Sequence, residues 1–265
     1  MSVKIIAELS MNHLGDYSLV KKMVKSAAES GADYVKFQTW QVSNLSPGAW
    51  DEDGRREDYI KSEMTAERHE LFSKYCDDAG IKFLTSCFAP CDLDMIRRYS
   101  NEVKIPGPEC KRCDLVIPAS KMFDTVFLST GACTFEELAQ HANLPNVYIM
   151  HCVSAYPCPI ANVNFPRMLA IKSLTERYGY SGHMLGIWDA IAAISLGAKV
   201  VEKHFTTDKS MSFKDNIFSI EPHELKQIRE YADTFDEMVV DRGCDYQDIE
   251  DEVRSVYARR WDKDK

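Results

Sequence analysis

The sequence predicts one closed (β/α)8 barrel, and three observations predict it. Eight short apolar runs recur along the chain, each is followed by helical material, and 265 residues match the roughly 250 that such a barrel needs. Strands that alternate strictly with helices imply a parallel sheet, and eight such units in about 240 residues close on themselves.

The runs are VKIIAEL (3–9), ADYVKFQT (32–39), IKFLTS (81–86), EVKIPG (102–107), TVFLST (125–130), NVYIMHC (146–152), YGYSGH (178–183) and AKVVEKHFT (198–206). The helical stretches include SLVKKMVKSAAESG, TAERHELFSKYCDDAG, TFEELAQHA, FPRMLAIKSLTERY, IWDAIAAISLG and EPHELKQIREYADTFDEM. Several of these open with Ser, Thr or Asp at an N-cap position and end at Gly. Residues 40–64 are rich in Gly, Pro, Asp and Arg, too polar and irregular for a core element. They read as a long loop after the second strand, and long loops at that end of a barrel cover the site. The barrel is expected over 1–240, with a charged C-terminal helix and frayed tail over 241–265.

Hydrophobic residues at 45% and charged residues at 28% are ordinary for a folded domain. A net charge of -9 argues against a nucleic-acid groove, which needs clustered Lys and Arg, but leaves room for a small anionic substrate in a locally basic pocket. The nine cysteines are scattered and odd in number; Cys110 and Cys113 form a lone CxxC without the second pair of a zinc site. Reduced thiols in a cytoplasmic protein are the expectation. Met1 leads straight into a strand with no basic and apolar leader, and no membrane span is expected.

Functional side chains of such barrels come from the C-terminal ends of strands and the loops after them. Those ends supply Glu8, Asn12 and His13; Lys36 and Gln38; Ser86; Lys104 and Glu109; Ser129 and Thr130; His151; Ser181 and His183; Glu202 and His204. Strand alternation puts Glu202 and His204 on one face and Lys203 on the other. A buried ammonium is costly without an anion beside it. Either Lys36 or Lys104 alone is as readily an internal partner of Glu8 or Glu202; two aimed into one mouth favour an anionic ligand, a phosphate or a carboxylate. His151 reads as a packed core residue. His183 and His204 close neighbouring strands, and are either packed histidines or joint ligands of one divalent ion with open positions for Lewis-acid chemistry. The turn Ser129-Thr130-Gly131 offers hydroxyls and backbone N–H groups to phosphate oxygens.

In order along the chain, AELSMNHLGD, DYVKFQT, VKIPGPE, LSTGA, MHCVSAYPCP with VNF, GYSGHMLG and GAKVVEKHFTTDKSMSFKDNIFSIEP resemble the sialic acid synthase family, the phosphoenolpyruvate-dependent nonulosonate synthases, over about residues 3–225. The resemblance implies condensation of phosphoenolpyruvate with an open-chain N-acetylated hexosamine such as N-acetylmannosamine, giving a nine-carbon 2-keto acid and phosphate. It implies a divalent metal, Mn2+ or Mg2+, on His183 and His204. It places Lys36, Ser86, Lys104 and Ser181 on phosphoenolpyruvate, and Gln38, Ser154, Tyr156, Glu202 and Asp215 on the acceptor. Glu8 is implied as the acid/base, with Lys36 and Lys104 as catalytic partners.

The chain also departs from the family pattern. Gly107 stands where a phosphoenolpyruvate-binding serine is common, Ser86-Cys87-Phe88 replaces a TPF-like segment, and Asp215-Asn216 replaces an Asp-His pair, approached through Phe213 and Lys214. Family members are homodimers that continue into an antifreeze-like domain, whose arginine reaches the partner's acceptor. The present sequence stops near where that domain would begin, so a different acceptor, a separate lid protein or a truncated form are the open expectations. Two alternatives accompany this reading: a synthase for a phosphorylated aldose, held by Arg55, Arg56, Lys61 and Lys214, or a non-catalytic sugar-binding homologue.

Overall fold

The computed structural model describes residues 3–211 and 214–262. Its eight strands are β1 (Lys4–Glu8), β2 (Tyr34–Thr39), β3 (Lys82–Cys87), β4 (Glu102–Ile105), β5 (Thr125–Ser129), β6 (Val147–Cys152), β7 (Tyr178–Gly182) and β8 (Val200–His204). Each pairs in parallel with the next, and β1 pairs with β8, setting Glu8 beside His204 and closing the barrel.

The two-residue period of a strand decides what the barrel holds. Ile6, Tyr34, Leu84, Phe127, Met150 and Val200 point inward and form the apolar cluster of the interior. Two residues further along the same strands come Glu8, Lys36, Ser86, Ser129, Cys152 and Glu202, so the layer nearer the C-terminal ends is mostly polar. The outward residues join the larger core beneath the helices. On α1 (Tyr17–Glu29), Val20, Met23, Val24 and Ala27 make the buried stripe expected of helical spacing. Asp16 caps α1 by accepting from the backbone N–H groups of Ser18 and Leu19, and Thr65 caps α3 (Ala66–Ala79) by accepting from Arg68. Lys203, outward on β8, is buried, yet its ammonium meets Asp189 at 2.9 Å and donates to the Met184 carbonyl at 2.7 Å. Asp189 belongs to α8 (Trp188–Ser195), so this ion pair ties helix to barrel.

The six helical stretches quoted from the sequence are all helical, among them α6 (Phe135–Ala139), α7 (Phe165–Lys172) and α9 (Pro222–Met238). Three further helices lie where no helix is singled out from sequence. The 40–64 segment contains α2 (Arg55–Ser62), and α4 (Leu93–Arg97) is too short for a periodic signal. In α5 (Cys113–Met122), Pro118 interrupts the pattern. Where a C-terminal helix is expected, residues 239–262 are exposed and hold one short mixed helical stretch, a 3-10 turn at Asp248–Glu250 running through Asp251 and Glu252 into a π turn at Val253–Tyr257. No helix among the described residues is long and apolar enough to cross a membrane, and all nine cysteines are free.

Candidate active site

The C-terminal ends of the strands open into a cavity of about 1050 Å³. This is at the upper end of the roughly 300–1,000 Å³ of small-molecule sites and has room for two substrates. Its floor is the polar layer. Lys104 on β4 and Glu202 on β8 face each other across the barrel, Nζ to Oε2 at 2.7 Å. Lys36 on β2 lies 2.7 Å from Glu8 Oε2 and 3.9 Å from Glu202 Oε1, and donates to Ser86 Oγ at 2.7 Å. Ser181 donates to Glu202 Oε1 at 3.0 Å, and Gln38 donates to Glu8 Oε1 at 2.6 Å. The side chains of Lys36, Lys104, Glu8 and Glu202 are nearly closed to solvent.

Two ammonium groups and two carboxylates thus neutralise one another, but unequally. Burial raises the Glu202 carboxyl, yet Lys104 and Lys36 outweigh it and hold Glu202 down to about 2. Glu8 has one lysine close by; burial dominates, helped by the neighbouring Glu202 charge, and pushes it up to about 7. Glu202 is therefore the fixed anion and Glu8 the group that exchanges a proton near neutrality. Burial also lowers the Lys104 ammonium, with Lys36 adding repulsion against the pull of Glu202. Ser129 Oγ, on the same floor, is buried without a hydrogen-bond partner and so is available to a ligand oxygen.

The upper wall is built by loops. Tyr156, after β6, packs its ring 4.2 Å from that of His183 and 5.7 Å from that of Phe218. Ser154 sits on the same loop, against Gly131. Asp215 accepts from Ser10 Oγ at 2.5 Å and lies 3.7 Å from His204 Nδ1. The 40–64 segment does cover the mouth, lending Trp40, Trp50, Arg55 and Tyr59.

His183 and His204 face each other with ring centroids 5.3 Å apart. The Nδ1 of His183 is 2.9 Å from the Val153 carbonyl, which can only accept, so this nitrogen carries the proton and Nε2 keeps a lone pair. His204 Nδ1 is buried with no hydrogen-bond partner. Burial and His204 push His183 down to about 3, and burial and Lys36 push His204 down to about 3, so both rings are neutral. Two neutral imidazoles on adjacent strands, one with an orphaned buried nitrogen, fit a divalent ion.

Every residue expected on phosphoenolpyruvate, acceptor or metal lines this one cavity: Glu8, Lys36, Gln38, Ser86, Lys104, Ser154, Tyr156, Ser181, His183, Glu202, His204 and Asp215. Four strand-end candidates do not. Asn12 turns back to donate to the Phe205 carbonyl and Ser219 Oγ, and His13 packs edge-on to Phe37 and Phe72. Thr130 and His151 have outward parity; Thr130 donates to the Met150 carbonyl, and His151 Nε2 lies 2.7 Å from the Val163 carbonyl as a packed residue. Of the four basic residues weighed for a second phosphate, Arg55 lines the cavity but is paired with Asp53, and Arg56 is paired with Asp51. Lys61 does not line it. Phe213 and the side chain of Lys214 lie outside the described residues.

Ser10, Arg112 and Cys152 line the cavity without having been singled out. Cys152 was legible, two residues beyond inward Met150. Ser10 and Arg112 sit beyond their strands, where parity ends. Gly107 has a steric reason: a Cβ there would meet the Gly131 carbonyl oxygen at 2.8 Å and its nitrogen at 2.9 Å, so serine does not fit this contact.

A sequence model of the NeuB family matches residues 23–242. An N,N'-diacetyllegionaminic acid synthase of Campylobacter jejuni is 34% identical over 246 residues, covering 84% of this chain and 73% of that protein. A pseudaminic acid synthase of the same species is 31% identical over 243 residues, covering 84% and 71%. The crystal structure of an N-acetylneuraminic acid synthetase from Leptospira borgpetersenii, in complex with citrate, superposes with a TM-score of 0.87 at 25% identity over 97% of this chain and 93% of that one. With the barrel closed and its mouth lined by the residues described, the chain belongs to the NeuB family and is an enzyme of the nonulosonic acid synthase type.

Proposed function

We propose that the protein condenses phosphoenolpyruvate with an N-acetylated hexosamine of the N-acetylmannosamine type, releasing phosphate and a nonulosonic 2-keto acid. The observation that carries this reading is the buried layer of Lys36, Lys104, Glu8 and Glu202 on the floor of a cavity large enough for both reactants. Lys36 and Lys104, with Ser86, Ser181 and the unpartnered Ser129 hydroxyl, take the phosphate and carboxylate of phosphoenolpyruvate. An entering trianion adds negative charge to a floor whose lysines are already neutralised, and this favours the protonated form of Glu8.

Gln38, Ser154, Tyr156, Glu202 and Asp215 hold the acceptor above it. A divalent ion on His183 and His204, Mn2+ or Mg2+, when bound supplies Lewis-acid polarisation of the acceptor aldehyde. C3 of phosphoenolpyruvate then forms the new bond to the aldehyde carbon, and Glu8 gives its proton to the oxygen that develops charge. The cation left at C2 takes up water, whose proton returns to Glu8. The tetrahedral intermediate collapses to the ketone by breaking the C2–O bond to phosphate, and the hydroxyl proton leaves with it. The two floor lysines stabilise phosphate throughout.

Purified protein with phosphoenolpyruvate, Mn2+ and a panel of free and phosphorylated N-acetylated hexosamines and aldoses tests this. Phosphate and 2-keto acid should appear in equal amounts and only with an acceptor. Preference for a phosphorylated acceptor would move the reading to the alternative synthase, and sugar binding without turnover would move it to the non-catalytic homologue.

A further inference from the structure

We propose that Cys133 is a peroxide-reactive thiol that forms a disulfide with Cys110, and that this bond, by pinning the two turns beside Lys104 and Ser129, weakens phosphoenolpyruvate binding. The thiol pair is argued from its own geometry, and its effect on binding rests on the proposed function.

The two cysteines belong to turns that already touch. Cys110 directly follows the 3-10 turn Gly107–Glu109 after β4, and Cys133 follows Gly131 and Ala132 after β5. A Cβ at Gly107 would meet the Gly131 carbonyl oxygen at 2.8 Å, so no side chain separates the turns there. Beside that contact the Cys110 and Cys133 side chains hydrogen-bond to each other, and both are free thiols. Cys110 is buried and Cys133 is half-buried, so a small oxidant meets Cys133 first.

Arg167, on α7, sets the chemistry of Cys133. Its Nη2 donates to Cys133 Sγ at 3.5 Å and to the Cys133 carbonyl at 2.8 Å, and its Nη1 donates to the Thr130 and Cys152 carbonyls at 3.0 and 3.4 Å. Of these four acceptors only the sulfur can take on charge, so the guanidinium favours the thiolate, which is the nucleophile. The hydrogen bond from Cys110 and the Arg167 charge lower the Cys133 thiol, against burial and the nearby Glu137. The same hydrogen bond, with burial, raises Cys110, which is therefore the proton-bearing partner. The exposed Cys91 and Cys113 have amide partners instead, Asn44 and Gln140.

The oxidant is hydrogen peroxide. Cys133 sulfur attacks one peroxide oxygen, the O–O bond breaks, and the departing hydroxide takes up a proton as water, leaving a sulfenic acid. Cys110 sulfur then attacks the sulfenic sulfur; the S–S bond forms, the S–O bond breaks, and hydroxide leaves with the Cys110 proton as a second water. Two thiols and one peroxide thus give one disulfide and two waters. Hydrogen-bonded sulfurs stand well outside the about 2.05 Å of a disulfide, so bonding draws residues 110 and 133 together. Gly107 and Gly131 have no room to follow, and the movement falls on the turn Gly107–Glu109, which lines the cavity two residues after Lys104 and its strand end.

Peptide mapping of the intact protein after mild hydrogen peroxide should show a Cys110–Cys133 disulfide before Cys91, Cys113 or Cys244 is modified. In Cys110→Ala, a dimedone adduct should appear on Cys133, because the sulfenic acid has lost its resolving thiol; Cys133→Ser should give neither product. Oxidation that falls first on another cysteine, or a Cys110→Ala protein without the adduct, would overturn the assignment. By calorimetry, the oxidised protein should bind phosphoenolpyruvate about tenfold more weakly, as for one displaced hydrogen bond to a charged group. Dithiothreitol should restore the affinity, and peroxide should leave that of Cys133→Ser unchanged. Equal affinity with and without the disulfide would overturn the effect on binding. A reduced wild type that binds no phosphoenolpyruvate would overturn the proposed function, and the peptide map would still decide the thiol pair.

Discussion

Lys104 and Glu202 sit on strands four apart in an eight-stranded barrel, so their 2.7 Å ion pair crosses the interior and forms the floor of the cavity. Both side chains are nearly closed to solvent, and neither strand could bury its charge alone. The pair is consequently a site feature before it is a stabilising one, because desolvating two charges returns little net stability while removing one partner is severe.

Glu202→Gln leaves Lys104 and Lys36 facing each other with Glu8 as the one remaining carboxylate. The variant should lose about 3–5 kcal/mol of unfolding free energy in urea, and added phosphoenolpyruvate should restore part of it by supplying the missing anion. A loss below about 1 kcal/mol would mean that the lysines find compensation elsewhere.

Glu8 makes the reaction pH-sensitive. With its carboxyl pushed up to about 7, the proton-donating form fades as pH rises through neutrality, and kcat should fall with it. Stability has the same sign. The unfolded chain releases this proton near the ordinary 4.5, whereas the folded protein keeps it to about 7. This residue's contribution is therefore present below pH 4.5 and lost as pH rises through 7. Subtracting the unfolding free energy of Glu8→Gln from that of wild type at each pH isolates it; a flat difference between pH 4.5 and 7 contradicts the assignment.

His13 gives the opposite sign and no catalytic effect. Burial, and Arg68 nearby, push it down to about 4 from 6.5, so its stabilising contribution is present above pH 6.5 and lost as pH falls toward 4. Its Nδ1 accepts from the Gly15 N–H at 3.0 Å, a role that asparagine can keep. His13→Asn should flatten the acid limb of the stability curve and leave kcat within about twofold, the range expected of a residue outside the cavity.

Gly107→Ser tests whether the family's serine is merely absent or is excluded. The contact with Gly131 predicts exclusion, with about 1–3 kcal/mol lost to overpacking and a higher KM for phosphoenolpyruvate. Unchanged stability with tighter phosphoenolpyruvate binding would show that the site accepts the hydroxyl.

Strand parity explains what was legible in the sequence. Lys36, Lys104, Glu202 and His204 interrupt apolar runs at inward positions, so the period of two places them in the mouth. Thr130 and His151 sit at strand ends too, but one residue out of phase, and the end of a strand without its phase does not say which face a side chain takes. Asn12 and His13 lie beyond β1, where the chain turns back on itself. Ser10 was hidden for a related reason: it enters the cavity wall through a left-handed turn and meets Asp215, a contact across 205 residues that no local pattern contains. Helix α5 was hidden by Pro118, and α2 by the polarity of the segment that carries it.

The most direct measurement is the fate of the bridging oxygen in phosphoenolpyruvate labelled with 18O between C2 and phosphorus. Incubation with Mn2+ and an accepted hexosamine should release phosphate that retains the label, in equal amount to an unlabelled 2-keto acid, because water attacks C2 and the C2–O bond breaks. Label kept in the keto acid, phosphate released without an acceptor, or no phosphate with any acceptor would contradict condensation on the Lys36–Lys104 floor.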